Sequence, residues 1–219
     1  MHIQYSSETG NDYSIPQIAY PRTAVVIPIR SFVDGKSRLG TALTATDRAA
    51  LLQRMATGVV RAARGLPVLV VTSAPEVQDW AWELGLGVIE DPGTLDGAAA
   101  AGTDWARSQL FGRVVIAHAD LPLAQSLGPV LTRTAGAGVI LVAGRKEGGT
   151  PVMSLPTSTD FRYSYGEGSY RRHVAEGIRL GLPVVTVHDS TLATDLDTPA
   201  DLAEIDGALP MSWLGTRAS

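Results

Sequence analysis

Short apolar runs alternate with amphipathic segments along most of the chain. Runs rich in Val, Ile and Leu predict seven buried strands, at residues 24–29, 67–72, 87–90, 114–118, 139–143, 151–155 and 184–188. Segments with apolar residues three or four positions apart predict helices at 46–64, 75–84, 95–111, 127–134, 170–180 and 199–205. The strands are continuously apolar, which is typical of strands that are buried on both faces.

The order of these elements predicts an α/β fold. Strands and helices alternate at a spacing that suits crossover connections, so we expect three layers, with helices on both faces of a mostly parallel sheet. No linker or repeat divides residues 23–209, which we interpret as a single domain followed by a C-terminal tail at 210–219. Residues 1–22 form an irregular N-terminal extension, typical of a tail or of an arm that joins two copies in a homodimer.

Composition and charge exclude several classes of function. The chain has no cysteine, which excludes disulfides, thiolate metal sites and cysteine nucleophiles and suits the reducing cytoplasm, where we expect the protein. Its formal net charge is −4, so we expect no nucleic-acid partner. No apolar run reaches the roughly 18 residues of a membrane span, and we expect no membrane partner either. The histidines are not paired at metal-binding spacing, which disfavours zinc.

Charged side chains follow several of the predicted strands. Ligands of open α/β sheets bind beyond the carboxyl ends of the strands, so these positions are the candidates for chemistry. Cations follow the first strand, and carboxylates follow the fourth and the last. The cations are Arg30, Lys36 and Arg38, and the carboxylates are Asp120, Asp195 and Asp197. A bound polyphosphate with a hard divalent cation such as Mg²⁺ would account for both groups.

Each of these residues also has a structural interpretation. The segment 30–38 could be a solvated basic loop. Asp120 could be the N-cap of a helix that begins at Leu121-Pro122, and Asp197 or Thr198 could cap the helix at 199–205. We favour metal binding for Asp195 and Asp197, because two neighbouring like charges are costly unless a cation neutralises them.

Two glycine-rich turns carry hydroxyl side chains. Residues 148–150 and 165–169 can expose backbone N–H groups to an anion, and Ser169 lies where a helix begins. Arg171 and Arg172 oppose the dipole of that helix, so we expect an anion nearby. His118 is expected to pack in the core or to form a hydrogen bond beside Asp120. The sequence lacks the P-loop, the dinucleotide fingerprint and the G-x-S-x-G turn of serine hydrolases.

Four motifs occur in a characteristic order: A-V-V-I-P-I-R-S-F-V-D-G-K-S-R-L, A-D-L-P-L, Y-G-E-G-S-Y-R-R-H and D-L-D-T-P-A-D-L. Together they resemble the 2-phospho-L-lactate guanylyltransferase family, which acts in biosynthesis of the deazaflavin coenzyme F-420. The resemblance implies a nucleotide-diphospho-sugar transferase fold. It also implies transfer of GMP from GTP to the phosphate of 2-phospho-L-lactate, phosphoenolpyruvate or 3-phosphoglycerate, with release of pyrophosphate.

The same resemblance implies roles for particular residues. Lys36 and Arg38 would hold the phosphates of GTP, and with Asp120 they form the expected catalytic set. Asp120, Asp195 and Asp197 would bind Mg²⁺, and the acceptor would contact Thr150, Gly166 and Ser169.

Two positions depart from the family pattern. Arg30 stands where a lysine is common, and Asp96 stands near where the family has an asparagine in its guanine-binding region. An aspartate can still accept hydrogen bonds from guanine.

Two other functions stay open at this point. One is a glycosyltransferase of the same fold, whose Asp-Leu-Asp pair would hold the metal of a nucleotide-sugar. The cation-rich first loop argues against it, because a triphosphate needs more positive charge. The other is a nucleotide-binding protein without catalysis.

Overall fold

The computed structural model describes residues 22–131, 138–145, 148–205 and 207. Seven strands are present: β1 Thr23–Pro28, β2 Val68–Val71, β3 Gly87–Ile89, β4 Arg113–Ala117, β5 Val139–Val142, β6 Val152–Pro156 and β7 Val184–Val187. The helices are α1 Ala45–Ala62, α2 Pro75–Glu83, α3 Leu95–Ser108, α4 Gly128–Leu131, α5 Ser169–Arg179, α6 Ser190–Ala193 and α7 Pro199–Ile205, with a 3-10 helix at Ser37–Thr41. The predicted tail at 210–219 and residues 1–21 of the predicted extension lie outside the described ranges.

All seven strands join one sheet in the order β3-β2-β1-β4-β6-β5-β7. Within it β6 runs antiparallel to both of its neighbours, β4 and β5, and the other pairs are parallel. The prediction of a mostly parallel α/β sheet is therefore confirmed.

Successive side chains of β1 separate the core into two halves. Val25 and Ile27 face a cluster that includes residues of α1 and α2, whereas Ala24 and Val26 face a cluster that includes residues of α3. This follows from the two-residue period of a strand. The sheet thus has helices on both faces, as the sequence predicts.

Because β6 is antiparallel, the connection that precedes it lies at the edge of the sheet where the parallel strands have their carboxyl ends. A hairpin joins β5 to β6, so the beginning of β6 lies beside the carboxyl end of β4. The backbone N–H of His118 donates to the carbonyl of Pro151 at 2.9 Å. Thr150, which precedes β6, is therefore brought to the same edge as Asp120, which follows β4.

The pattern of apolar positions did not predict two short helices. The 3-10 helix Ser37–Thr41 and α6 have five and four residues, too few to establish a helical pattern of apolar positions. The long helices were found, although α1 begins one residue earlier than predicted, where the side chain of Thr44 accepts from the N–H of Asp47. No helix in the described ranges is long and apolar enough to cross a membrane.

Candidate functional site

Lys36 connects the loop after β1 with two aspartates from distant parts of the chain. Its ammonium group donates to a carboxylate oxygen of Asp120 and to one of Asp197. The backbone of Lys36 has a φ of 53°, in the left-handed region that non-glycine residues rarely occupy. Only 13% of its side chain is exposed, so the ammonium is directed inward and held by the two carboxylates.

The charges of this cluster shift one another's protonation. Burial would lower the pKa of Lys36, but attraction by Asp120 and Asp197 outweighs it, and the pKa is raised. Burial would raise the pKa of Asp120, but Lys36 outweighs it, and that pKa is lowered. The pKa of Asp195 is raised, first by burial and then by repulsion from Asp120 and Asp197. One ammonium therefore does not compensate three neighbouring carboxylates.

The structure excludes the capping roles that the sequence left open for two aspartates. No helix begins at Leu121, and the next one along the chain is α4 at Gly128. At α7 the cap is Thr198, whose hydroxyl accepts from the N–H of Asp201 at 3.3 Å. In return, the Asp201 carboxylate accepts from the N–H groups of Asp197 and Thr198 at 3.0 and 2.9 Å.

This reciprocal arrangement leaves the Asp197 carboxylate to face Lys36. Asp201 is buried, and its contribution to the site was not predicted. The sequence signal for it was the Thr-x-x-Asp spacing at the start of a helix, which is typical of reciprocal N-terminal capping.

The carboxylate cluster has the chemistry of a divalent cation site. The Oδ1 atom of Asp120 is buried and accepts no hydrogen bond from any described residue. No group of three or more His, Asp or Glu residues in the described ranges converges on one point at metal-binding distance. Lys36 occupies the position between Asp120 and Asp197. These carboxylates fit Mg²⁺ by charge and by donor type, and the metal role of Asp120, Asp195 and Asp197 stays a prediction.

A second cluster joins the predicted acceptor residues to a buried histidine. The hydroxyl of Ser169 donates to Thr150 Oγ1 at 3.3 Å, and His173 Nδ1 lies 3.0 Å from the same oxygen. The other ring nitrogen of His173, Nε2, accepts from the backbone N–H of Ser164 at 3.0 Å. Burial lowers the pKa of His173 to about 4, so the ring is neutral at pH 7.

The glycine-rich turn before α5 is held by Arg172. Gly166 and Gly168 have φ values of 99° and 69°, which a residue with a side chain would adopt only with strain. The guanidinium of Arg172 donates to the backbone carbonyls of Ser164, Tyr165 and Glu167. The side chain of Arg172 thus binds the carbonyl groups of the turn. The anion expected near the start of α5 stays a prediction.

Arg30 lies at a separate part of the same edge. It is exposed and lines a cavity of about 580 Å³ together with Ser73, Glu76, Asp91 and Gly93. Glu76 closes the loop after β1 by accepting from the hydroxyl of Ser31 at 2.7 Å. This cavity was not predicted as a unit, because its walls come from three separate connections.

The remaining predicted residues occupy different surroundings. Arg38 is exposed on the 3-10 helix. Asp96 accepts from the backbone N–H of Tyr165 at 2.6 Å and does not line the cavity beside Arg30. It therefore contacts the acceptor turn, and its predicted role in guanine binding stays a prediction.

His118 lies between the two clusters. Its ring is tilted against that of Tyr165, with centroids 5.4 Å apart. Burial lowers the pKa of His118 despite the attraction of Asp120. Its Nε2 and the hydroxyl of Tyr165 are buried and make no hydrogen bond to a described residue. The expected packing of His118 is therefore observed.

Comparison with known proteins identifies the family and the fold. The family described as "Guanylyl transferase CofC like" matches residues 23–207. The 2-phospho-L-lactate guanylyltransferase of Methanothermobacter thermautotrophicus is 30% identical over 190 residues, 84% of either chain. The phosphoenolpyruvate guanylyltransferase of Sphaerobacter thermophilus is also 30% identical, over 86% of this chain and 95% of its own.

The name of a third relative specifies a different acceptor substrate. This relative is the 3-phospho-D-glycerate guanylyltransferase of Phenylobacterium zucineum, 27% identical over 82% of this chain and 88% of its own. Among solved structures, a protein from Desulfovibrio desulfuricans G20 assigned to the nucleotide-diphospho-sugar transferases superposes with a TM-score of 0.68 at 14% identity, over 85% of this chain and 96% of its own. At that identity the likeness shows the fold, which is the one that the sequence resemblance implied. The chain belongs to the CofC-like guanylyl transferase family.

Proposed function

We propose that this protein transfers GMP from GTP to the phosphate group of a small phospho-acid and releases pyrophosphate. The observation that carries the proposal is the ion cluster of Lys36, Asp120 and Asp197 at the carboxyl edge of the sheet, in a chain of this family. The hydroxyl cluster of Thr150 and Ser169 lies at the same edge, and the hydroxyl of Thr150 would donate to the acceptor.

The reaction requires no covalent intermediate on the protein. An oxygen of the acceptor phosphate attacks the α-phosphorus of GTP, a new P–O–P linkage forms, and the bond between the α-phosphorus and the oxygen that bridges to the β-phosphate breaks. The pyrophosphate leaves with that bridging oxygen. The acceptor oxygen is already anionic at neutral pH, so it needs no strong base.

The main task of the protein is to bring two anions together. Two unit charges 4 Å apart repel each other by roughly 4 kcal/mol at an effective dielectric constant of 20. Lys36 supplies one compensating charge at the centre of the site, and Arg38 supplies another on the adjoining 3-10 helix. Both would stabilise the negative charge that develops on the departing pyrophosphate.

Asp120, Asp195 and Asp197 would hold Mg²⁺ in this proposal. When bound, the ion would offset phosphate charge and polarise the α-phosphoryl group. The Oδ1 atom of Asp120 accepts no hydrogen bond from a described residue. Burial, and then repulsion by Asp120 and Asp197, raises the pKa of Asp195. Both observations support a cation at this position. Lys36 would shift from between the aspartates toward the phosphates of GTP.

The cavity beside Arg30 is large enough to receive a nucleoside. Its carboxylates, Glu76 and Asp91, are hydrogen-bond acceptors of the kind that guanine N1–H and N2–H require. Arg30 would pair with a phosphate at the mouth of the cavity.

The direct test is a product assay. The protein is incubated with GTP and Mg²⁺, and 2-phospho-L-lactate, phosphoenolpyruvate and 3-phosphoglycerate are added separately. We expect release of pyrophosphate and a product heavier than the acceptor by one GMP unit with at least one of them. No pyrophosphate with any of the three would refute the proposal, and release of a nucleoside diphosphate from a nucleotide-sugar would indicate the glycosyltransferase alternative.

A variant pair tests the assignment of the ion cluster. Asp120→Asn should lower kcat at least about 100-fold, because it removes charge at the centre of the cluster. Asp104→Asn, which changes an exposed aspartate on α3 that pairs with Arg107, should leave kcat unchanged. Binding of Mn²⁺, measured by electron paramagnetic resonance, should weaken in the first variant alone. Near-normal turnover and Mn²⁺ binding by Asp120→Asn would contradict the assignment.

A further inference from the structure

The hydrogen bonds around His173 fix which of its nitrogens carries the proton. The side chain is fully buried, and its Nε2 accepts from the backbone N–H of Ser164. A nitrogen that accepts must present a lone pair, so Nε2 is not protonated. In the neutral ring the proton is then on Nδ1.

This tautomer determines the role of Thr150. Because Nδ1 carries the proton, it donates to Thr150 Oγ1, which also accepts from the hydroxyl of Ser169. A hydroxyl oxygen has two lone pairs, and both are used by these bonds. The hydroxyl hydrogen of Thr150 is left as a donor, and no described residue accepts it.

A hydroxyl restricted in this way is suited to an anion. Carboxylates and phosphates at neutral pH offer acceptors, so they can bind a donor-only hydroxyl but cannot use a lone pair on it. A hydroxyl free to rotate would instead share its hydrogen with Ser169 or His173.

We propose that His173 is a positioning residue for the acceptor substrate: its Nδ1–H holds the hydroxyl of Thr150 as a donor to the anionic group of the phospho-acid. This inference rests on the proposed function for the identity of the anion. It adds a residue that touches neither substrate and acts through Thr150.

Two amide substitutions separate the two hydrogen bonds of His173. The amide of asparagine can replace Nδ1, so His173→Asn keeps a donor to Thr150 and loses the acceptor for Ser164. The longer glutamine replaces Nε2, so His173→Gln keeps the acceptor for Ser164 and loses the donor to Thr150. A purely structural role would make both variants equally defective in every parameter.

The expected kinetic result is a split between the two substrates. His173→Gln should raise KM for the phospho-acid about 10- to 100-fold, the range for a lost hydrogen bond to a charged group, with little change in KM for GTP. His173→Asn should stay within a few-fold of the wild type for both. Ala175→Ser, on the exposed side of α5, is the matched control and should change neither constant.

A double-mutant cycle tests the path through Thr150. Thr150→Val removes the hydroxyl, so adding His173→Gln to it should raise KM no further. Additive effects, or an unchanged acceptor KM in His173→Gln while the wild type turns over normally, would overturn the role of His173 and leave the proposed function intact. Absence of turnover by the wild type would overturn the proposed function, and the acceptor role of His173 with it.

A spectroscopic measurement does not depend on turnover. In protein labelled with ¹⁵N-histidine, the ring signals missing from His173→Gln belong to His173. At pH 7 they should show the neutral tautomer with the proton on Nδ1. A ring protonated on Nε2, or on both nitrogens, would overturn the inference.

Discussion

At the scale of single residues, Lys36 combines a left-handed backbone conformation with the two ion pairs at the centre of the site. Its left-handed backbone costs about 1 kcal/mol for a residue with a side chain. The conformation is maintained because it directs the ammonium between Asp120 and Asp197. The ion pairs with Asp120 and Asp197 therefore offset the cost of the strained backbone at Lys36.

Lys36→Met tests this interpretation through stability. Methionine keeps most of the side-chain stem and removes the charge, so Asp120 is left half-buried beside two other carboxylates. In EDTA we expect the free energy of unfolding at pH 7 to fall by about 3 kcal/mol, and added Mg²⁺ should restore part of the loss. Chemical denaturation with and without MgCl₂ measures both effects.

The matched control for Lys36→Met is Asp104→Asn, which weakens an exposed ion pair with Arg107 on α3. Exposed pairs contribute little, so its loss should be much smaller and independent of Mg²⁺. Equal losses in the two variants would mean that the central cluster has no special energetic role.

The protonation of His173 predicts a pH dependence of stability. Burial lowers its pKa to about 4, with Asp96 and Glu176 attracting the proton and Arg172 and His118 repelling it. In the unfolded chain the pKa is about 6.5, so between these values the unfolded state binds more protons. Above about pH 6.5, His173 therefore does not reduce the free energy of unfolding. As the pH falls from 6.5 toward 4, the free energy of unfolding decreases, by up to about 3 kcal/mol.

Comparison with His173→Gln isolates this contribution from the other acidic groups. The stability difference between the wild type and the variant should shrink as the pH is lowered from 7 to 4, as followed by urea denaturation at several pH values. A difference that stays constant over this range would contradict the lowered pKa.

At the scale of elements, α3 lies unusually close to β1. A Cβ atom at Gly102 would lie 2.3 Å from Cγ1 of Val26, well inside van der Waals contact. The glycine thus permits the helix to approach the sheet beside β1, whose carboxyl end leads to Arg30 and Lys36. Helix propensity alone would favour alanine at this position.

We expect Gly102→Ala to destabilise the protein by about 2 kcal/mol, because overpacking outweighs the gain in helix propensity. Ala100→Ser, on the exposed side of the same helix, should be nearly neutral. Thermal unfolding of the two variants measures the effect. An unchanged melting temperature in Gly102→Ala would show that α3 can move away from β1 at no cost.

At the scale of the whole molecule, we expect the described part of the chain to unfold as one unit. The seven strands form a single sheet, and the two apolar clusters share its strands from opposite faces. Loss of either cluster would expose half of the same sheet, so neither should persist alone.

Calorimetry tests this expectation of a single domain. The full chain should show one transition whose calorimetric and van't Hoff enthalpies agree. Two resolved transitions would contradict the prediction of one domain over 23–209.

Much of the fold and of the site could be predicted from the chain alone. Continuous apolar runs such as 139–143 identified the strands, because a strand buried on both faces must be apolar throughout. Motif order indicated the family that the comparisons confirm. The position of Lys36 and Asp120 after their strands marked them as candidates, because strand order along a parallel sheet brings carboxyl ends together.

Only the tertiary structure decided how these residues act on one another. The reversal of β6 brings Thr150 to the site, and no local pattern of apolar positions encodes strand direction. The Asp201 carboxylate leaves Asp197 available to Lys36, and Ser164 sets the tautomer of His173. The sequence by itself determined the elements and the inventory of charges, which depend on local spacing. The tertiary structure decided their pairing and protonation, which depend on distances between atoms far apart in the chain.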